Sequence, residues 1–245
     1  MRVAVIDGVA SGDSIGFAIA EALALQGLAV HATVRPHRVD GCRERAEALG
    51  VTLHVVESGL DAVAATLDQL DVLVHTRVHA PPEMLARPLL EVPEEAFQAA
   101  MHGGVWSFVD ACRAVSPLLT ASPAGRVVTL TSPLSGRTAP RYHVAGIAKA
   151  ALEASVRYVA AELGHAGVLV NGVSFPLIAT AAARATVGDT VAKRSVIHLA
   201  KRAPTGRATT DSDVAATVAW LASATSQQLT GQILTVDGGV GNLYF

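Results

Sequence analysis

Cysteine is nearly missing: the 245 residues contain only Cys42 and Cys112. Two thiols so far apart form neither a Cys-x-x-Cys nor a zinc pattern, which excludes a disulfide framework and suits a reducing compartment. Charged residues make up only 16% of the chain, and the formal net charge is -2. No block is rich in Lys or Arg, so the electrostatic footprint of a nucleic-acid or anionic-membrane binder is lacking. No apolar run is long enough to span a bilayer. The short run Val3 to Ile6 is broken by Asp7 and Gly8, so the N-terminus carries no signal-peptide pattern. The nine histidines are scattered without metal-ligand spacing. With 4% aromatic residues, nothing argues for an aromatic-lined pocket. The expectation is a cytoplasmic protein that acts on a small molecule and binds no metal.

Apolar residues are abundant at 51%, enough for one sizeable core, so residues 1–245 are read as a single domain. Short Val-rich runs recur at Arg2-Asp7, Leu28-Val34, Val51-Val56, Asp71-His75, Arg126-Thr131, Val168-Val173 and Gln232-Val236. Longer Ala/Leu-rich segments with helical spacing separate them, so the chain reads as repeated βα units. The runs do not alternate with polar residues, so both sheet faces are covered. The expected fold is α/β, a Rossmann-type doubly wound parallel seven-stranded sheet with helices on both faces. Helices are expected over Ser14-Gln26, Glu94-Leu119 and Pro140-Gly164, with Pro81, Pro82, Pro88 and Pro93 marking the loop before the second. Thr180-Arg207 is expected to be a mobile lid.

The first strand runs into Gly8-Val9-Ala10-Ser11-Gly12-Asp13-Ser14-Ile15-Gly16 and then an amphipathic helix. Glycines permit the turn and let backbone N–H groups approach a pyrophosphate, whose charge the helix N-terminus favours. After the second strand come Arg35 and Arg38. Two guanidinium groups there suit a 2′-phosphate, so NADP is expected over NAD, although a solvated basic loop has the same appearance.

The fifth strand ends at Thr131-Ser132; Tyr142 follows ten residues after Ser132, and Lys149 seven after Tyr142. On a helix, seven residues return to within about 20° of the start, so Tyr142 and Lys149 share a face. Compared with a Tyr-x3-Lys pair, the phenol stands about 4.5 Å further along the axis.

The form Gly8-x5-Ser14-Ile15-Gly16 and the Tyr142-x6-Lys149 spacing resemble the enoyl-acyl carrier protein reductases, a branch of the short-chain dehydrogenase/reductase superfamily. The resemblance continues through residues 150–164 and 170–174 to the tail Leu229-Thr230-Gly231-Gln232-Ile233-Leu234-Thr235-Val236-Asp237-Gly238-Gly239, nearly the whole chain. It implies an NADPH-dependent oxidoreductase of an enoyl thioester or related carbonyl-conjugated substrate, small or carrier-bound, assembled as a homotetramer or homodimer. Tyr142, Lys149 and Ser132 become the catalytic set. Gly8, Ser14, Ile15, Gly16, Arg35, Arg38, Thr76 and Lys149 become the cofactor-binding set. Lys149 would hold the nicotinamide ribose, and Tyr142 would donate to the oxygen where charge develops.

Several positions depart from that pattern. Ser132 stands where the family keeps a second tyrosine. His75-Thr76-Arg77-Val78 replaces a turn that ends in glycine, Glu57-Ser58 replaces an Asp-Val pair, and Phe175-Pro176 replaces Pro-Gly. These changes resemble the halohydrin dehalogenases, relatives that lost the nucleotide, but those carry Arg at the Lys149 position and lack the glycine turn. A non-redox lyase, isomerase or cyclase, a ketone reductase and a binding-only pseudoenzyme therefore stay open as alternatives. His102, His79 and His143 are secondary candidates for acid, base or relay roles.

Overall fold

The computed structural model describes residues 1–77, 87–180, 183–184 and 188–242. Seven strands form one sheet: β1 (Val3–Val9), β2 (Ala29–Val34), β3 (Thr52–Val55), β4 (Val72–His75), β5 (Arg126–Thr131), β6 (Leu169–Ser174) and β7 (Ile233–Thr235). Their order is β3-β2-β1-β4-β5-β6-β7, and every pairing is parallel. Successive residues of β1 point to opposite faces, as strand geometry requires. Ala4 and Ile6 join one apolar cluster, Val5 the other.

The first cluster lies under α1 (Ile15–Leu25), α2 (Asp40–Leu49) and the helix Asp211–Leu221. The second lies under Ser107–Ala121 and His143–Gly164, with the short α3 (Asp61–Ala64) beside them. Both sheet faces are thus covered, which accounts for the unbroken Val-rich runs. At about 25 cal/mol per Å² of apolar surface removed from water, such two-sided burial is the main favourable contribution to the fold.

The expected long helix Glu94-Leu119 is three pieces: α4 (Glu94–Met101), a π-helical turn (His102–Trp106) and α5 (Ser107–Ala121). The turn contains Gly103 and Gly104. A Cβ on Gly104 would lie 3.2 Å from the Ala148 side chain, so the glycine allows close approach of the next helix, α6 (His143–Gly164). A small cluster of Ala100 and Val144, with Phe97 against it, fixes the start of α6. The expected helix start at Pro140 is corrected to His143: Arg141 has φ 61°, outside the helical region, and Tyr142 is the N-cap.

Within the segment expected to be a lid, α7 (Asp189–Arg202) is helical, while residues 181–182 and 185–187 lie outside the described residues. Val78, His79 and most of the proline-marked loop also lie outside them. The last helix, α8 (Asp211–Leu221), begins with a reciprocal capping box between Thr210 and Asp213. Both cysteines are free and buried. Among the described residues no helix is long and apolar enough to cross a membrane.

Candidate active site

Strand β5 ends at Thr131, and Ser132 immediately caps the following turn: its Oγ accepts from the Leu134 backbone N–H at 3.3 Å. Gly146 lets this turn lie against α6, since a Cβ there would meet the Leu134 carbonyl oxygen at 2.7 Å. The close approach sets Ser132 and Tyr142 on adjoining segments, the Tyr142 ring Cδ1 lying 3.7 Å from a Cβ placed on Gly146. Burial raises the Tyr142 hydroxyl above its ordinary value, and the nearby Ser132 hydroxyl opposes that shift. Tyr142 is not inside the helix, so its placement comes from the cap and not from the helical face expected for it. Its carbonyl accepts the first helical bond, from Gly146 N–H at 2.7 Å.

Lys149 is buried two turns beyond Tyr142 on α6, and its Nζ donates to the Leu130 carbonyl of β5 at 2.8 Å. Burial pushes the ammonium down to about 8, against the favourable charge of Glu153 one turn later. Glu153 is itself held by Thr131, whose Oγ1 donates to Oε1 at 2.8 Å. Ser132, Tyr142 and Lys149 therefore converge at the carboxyl end of β5. Glu153 was not anticipated from sequence; its spacing of four from Lys149 was the available signal.

The secondary histidines lie apart from this group. His143 Nδ1 accepts from Val144 N–H at 2.8 Å, and its Nε2 faces the Arg87 carbonyl at 2.7 Å, so it fastens the helix start. His102 is exposed on the π-helical turn. Glu57 is exposed after β3.

Within β1, before the glycine-rich turn, Gly8 has φ +114°, a conformation that side chains rarely adopt. Gly16 packs so closely that a Cβ would meet Val9 at 2.9 Å. Ser14 is the N-cap of α1, with Ile15 the first helical residue, but its side chain makes no capping bond. The Ser14 Oγ is buried without a partner. An orphaned hydroxyl and a glycine cradle at a helix N-terminus fit a diphosphate, which supplies the missing acceptor. Thr76 supports the turn from β4, its hydroxyl donating to the carbonyls of Asp7 and Gly8.

Beneath the turn lies a polar group that the sequence reading did not anticipate. Asp7 is fully buried, with Thr33 Oγ1 donating to its Oδ1 at 3.0 Å and Arg77 Nε 3.2 Å from the same oxygen. His75 Nε2 is 3.8 Å from Asp7 Oδ2, but burial pushes the imidazole down to about 3, so the contact is not an ion pair. His75 is satisfied by Thr129 and Ser107 at 3.2 and 3.1 Å. An acid within an otherwise apolar strand was the signal for this group. Among the described residues no cluster suits a metal ion.

The profile of the family described as enoyl-(acyl carrier protein) reductase matches residues 8–241. The chain is 32% identical to the Synechocystis protein named enoyl-acyl-carrier-protein reductase (NADH) FabI, over 96% of this chain and 95% of that one. It is 31% identical to the protein of that name from Aquifex aeolicus, over 96% and 90%. The crystal structure of the Bacillus cereus enoyl-acyl carrier protein reductase with NADP+ and indole naphthyridinone superposes with a TM-score of 0.93 at 28% identity, covering 100% of this chain and 98% of that one. The expected enzyme class, a nicotinamide-dependent oxidoreductase, agrees with these relatives.

The expected preference for NADP is corrected. Curated relatives at 31–32% identity are named for NADH. In the structure Arg35 and Arg38 are exposed. Arg38 is turned onto the protein, its Nε 3.2 Å from His37 Nε2 and its Nη1 3.4 Å from the Ala10 carbonyl. Both arginines match a solvated basic loop, with Arg38 also bracing the turn. Profile, sequence relatives and superposition agree across nearly the full length: the chain belongs to the enoyl-(acyl carrier protein) reductase family.

Proposed function

We propose that the protein reduces the carbon–carbon double bond of an enoyl thioester borne on an acyl carrier protein, with NADH as the reductant. The observation that carries this reading is the placement of Ser132 and Tyr142 at the carboxyl end of β5 and the cap of α6, with the buried ammonium of Lys149 held on the β5 backbone. The names of the relatives support the carrier-bound substrate and NADH.

NADH, when bound, supplies a hydride to the β-carbon of the substrate. As that bond forms, the double-bond electrons move toward the thioester and charge collects on its oxygen as an enolate. Tyr142 donates a hydrogen bond to that oxygen; burial, by raising its hydroxyl, keeps it protonated at neutral pH. Ser132 orients the phenol, and Gly146 sets the approach of the two elements that carry them. A proton from water then reaches the α-carbon, so one hydride and one proton have been added. Gly8, Ser14, Ile15 and Gly16 are assigned to the diphosphate, with Thr76 supporting their turn and Lys149 assigned to the ribose hydroxyls.

The experiment is incubation of the purified protein with NADH and an enoyl-acyl carrier protein, with the acyl group read by mass spectrometry. The saturated acyl group is the expected product. Unchanged substrate in the presence of bound NADH sinks the reading.

The same reading includes a cytoplasmic homotetramer or homodimer. Trp106, Ile147 and Tyr158 are exposed, and Ile147 and Tyr158 lie on one face of α6. Analytical ultracentrifugation is expected to give a dimer or tetramer that Tyr158→Asp dissociates; a monomeric parent protein contradicts this part.

A further inference from the structure

The buried pair of Asp7 and Arg77 has no part in the chemistry described above. Asp7 lies in the carboxyl half of β1, and its neighbours Thr33, next to last in β2, and His75, last in β4, come from the strands on either side. Arg77 follows the end of β4 by two residues, and its stem lies on the phosphate turn: a Cβ at Gly8 would meet Arg77 Cγ at 3.0 Å. The guanidinium is held at one end only, its Nε 3.2 Å from Asp7 Oδ1. Among the described residues it makes no hydrogen bond to any other group, although its side chain is only 14% exposed. Asp7 Oδ2 is likewise buried without a hydrogen-bond partner.

A guanidinium has five N–H donors in a planar fork, suited to phosphate and to stacking on a flat ring. The Arg77 Nη groups are not among the buried unpartnered atoms, so they stand open to solvent and to a ligand. The anchor is not there for stability, because burial pushes the Asp7 carboxyl up to about 6 despite the cation beside it. In open α/β sheets ligands enter at the strand ends where the crossovers diverge, here between β1 and β4. Tyr142 and Lys149 come from the β5 side of that crevice, so the nicotinamide end lies there. Arg77 touches the Gly8 side, where the other half of the dinucleotide must lie.

We propose that Arg77, braced from below by Asp7, is a cofactor-binding residue that supplies a side-chain cation to the adenosine diphosphate half of the dinucleotide. This rests on the nicotinamide-dependent reading above. It adds a charged side chain to a turn that otherwise binds phosphate through backbone groups. Asp7 is a positioning residue: it fixes the Nε end, so the Nη groups face the ligand.

The test is calorimetric titration of the full-length protein with NADH and, separately, with ADP. Arg77→Met is expected to weaken both ligands about tenfold, and Arg77→Lys less, because the ammonium keeps the charge but loses the fork. Asp7→Asn is expected to weaken both about threefold without lowering the melting temperature, since the isosteric amide removes the anchor and not the volume. Adding Asp7→Asn to Arg77→Met is expected to cost nothing further, the signature of residues acting as one unit. Circular dichroism confirms that each variant is folded. Parent-like affinity for ADP and NADH in folded Arg77→Met overturns the proposal, as does an Asp7→Asn protein that melts earlier yet binds both ligands normally. If ADP affinity depends on Arg77 but the parent protein reduces no enoyl thioester, the proposed function falls and this assignment stands.

Discussion

Replacing Tyr142 by Phe removes one hydroxyl and leaves the ring that packs before α6, so its effect reports chemistry and not folding. The expected outcome is a fall in kcat of about 10²- to 10³-fold with NADH affinity nearly unchanged, read by steady-state kinetics and fluorescence titration. Full retained activity removes the phenol from the mechanism. Lys149 makes a prediction about pH. Its ammonium is displaced by burial from 10.5 to about 8, so the charged form is complete well below that value and disappears as pH rises through it. If the charged form holds the cofactor, NADH affinity falls above about pH 8. In Lys149→Met affinity is weak at every pH and that limb is absent; a Met variant that keeps the limb assigns it to another group. These two residues, with Ser132, were legible in the sequence because reaction chemistry fixes residue type and spacing. The acid–guanidinium pair beneath the turn was not, because Asp7 and Arg77 are 70 positions apart and only the β1–β4 pairing brings them together.

At the level of elements, position depends on a few close approaches. Gly146 separates the Ser132 turn from α6 by less than a methyl group requires. Gly146→Ala is expected to push the Leu134 carbonyl away and part Ser132 from Tyr142. The result should be a loss of roughly tenfold in kcat at a stability cost of about 1–3 kcal/mol, checked by kinetics beside thermal melts. Unaltered kcat shows that the turn has slack. Sequence periodicity located each strand to within one or two residues, because a strand buried on both faces must be apolar throughout. It missed the π-helical turn at His102–Trp106, since an inserted turn leaves the apolar composition of a helix unchanged. It also ran α6 too far toward the N-terminus, because apolar pattern does not register the φ of Arg141. The helical relation inferred between Tyr142 and Lys149 gave a usable neighbourhood for the wrong local reason, as Tyr142 stands at the cap.

Across the whole molecule, the order β3-β2-β1-β4-β5-β6-β7 reverses direction between β1 and β4, with the glycine turn and Ser14 following β1 and Ser132, Tyr142 and Lys149 following β5. The architecture was legible because βα repeats with two-sided strands allow few alternatives. Cofactor preference was not, because two exposed arginines after β2 look alike whether they meet a phosphate or brace a loop. The contacts of Arg38 with Ala10 and His37, together with the names of the relatives, decided the matter. The most direct test of the account is deuteride transfer. The purified protein is supplied with NADH deuterated at its transferable position and an enoyl-acyl carrier protein, and the acyl product is analysed by mass spectrometry. The account predicts a saturated acyl chain carrying deuterium at the β-carbon, formed with NADH. Enoyl substrate that remains unsaturated, or is changed without taking up the label, contradicts it.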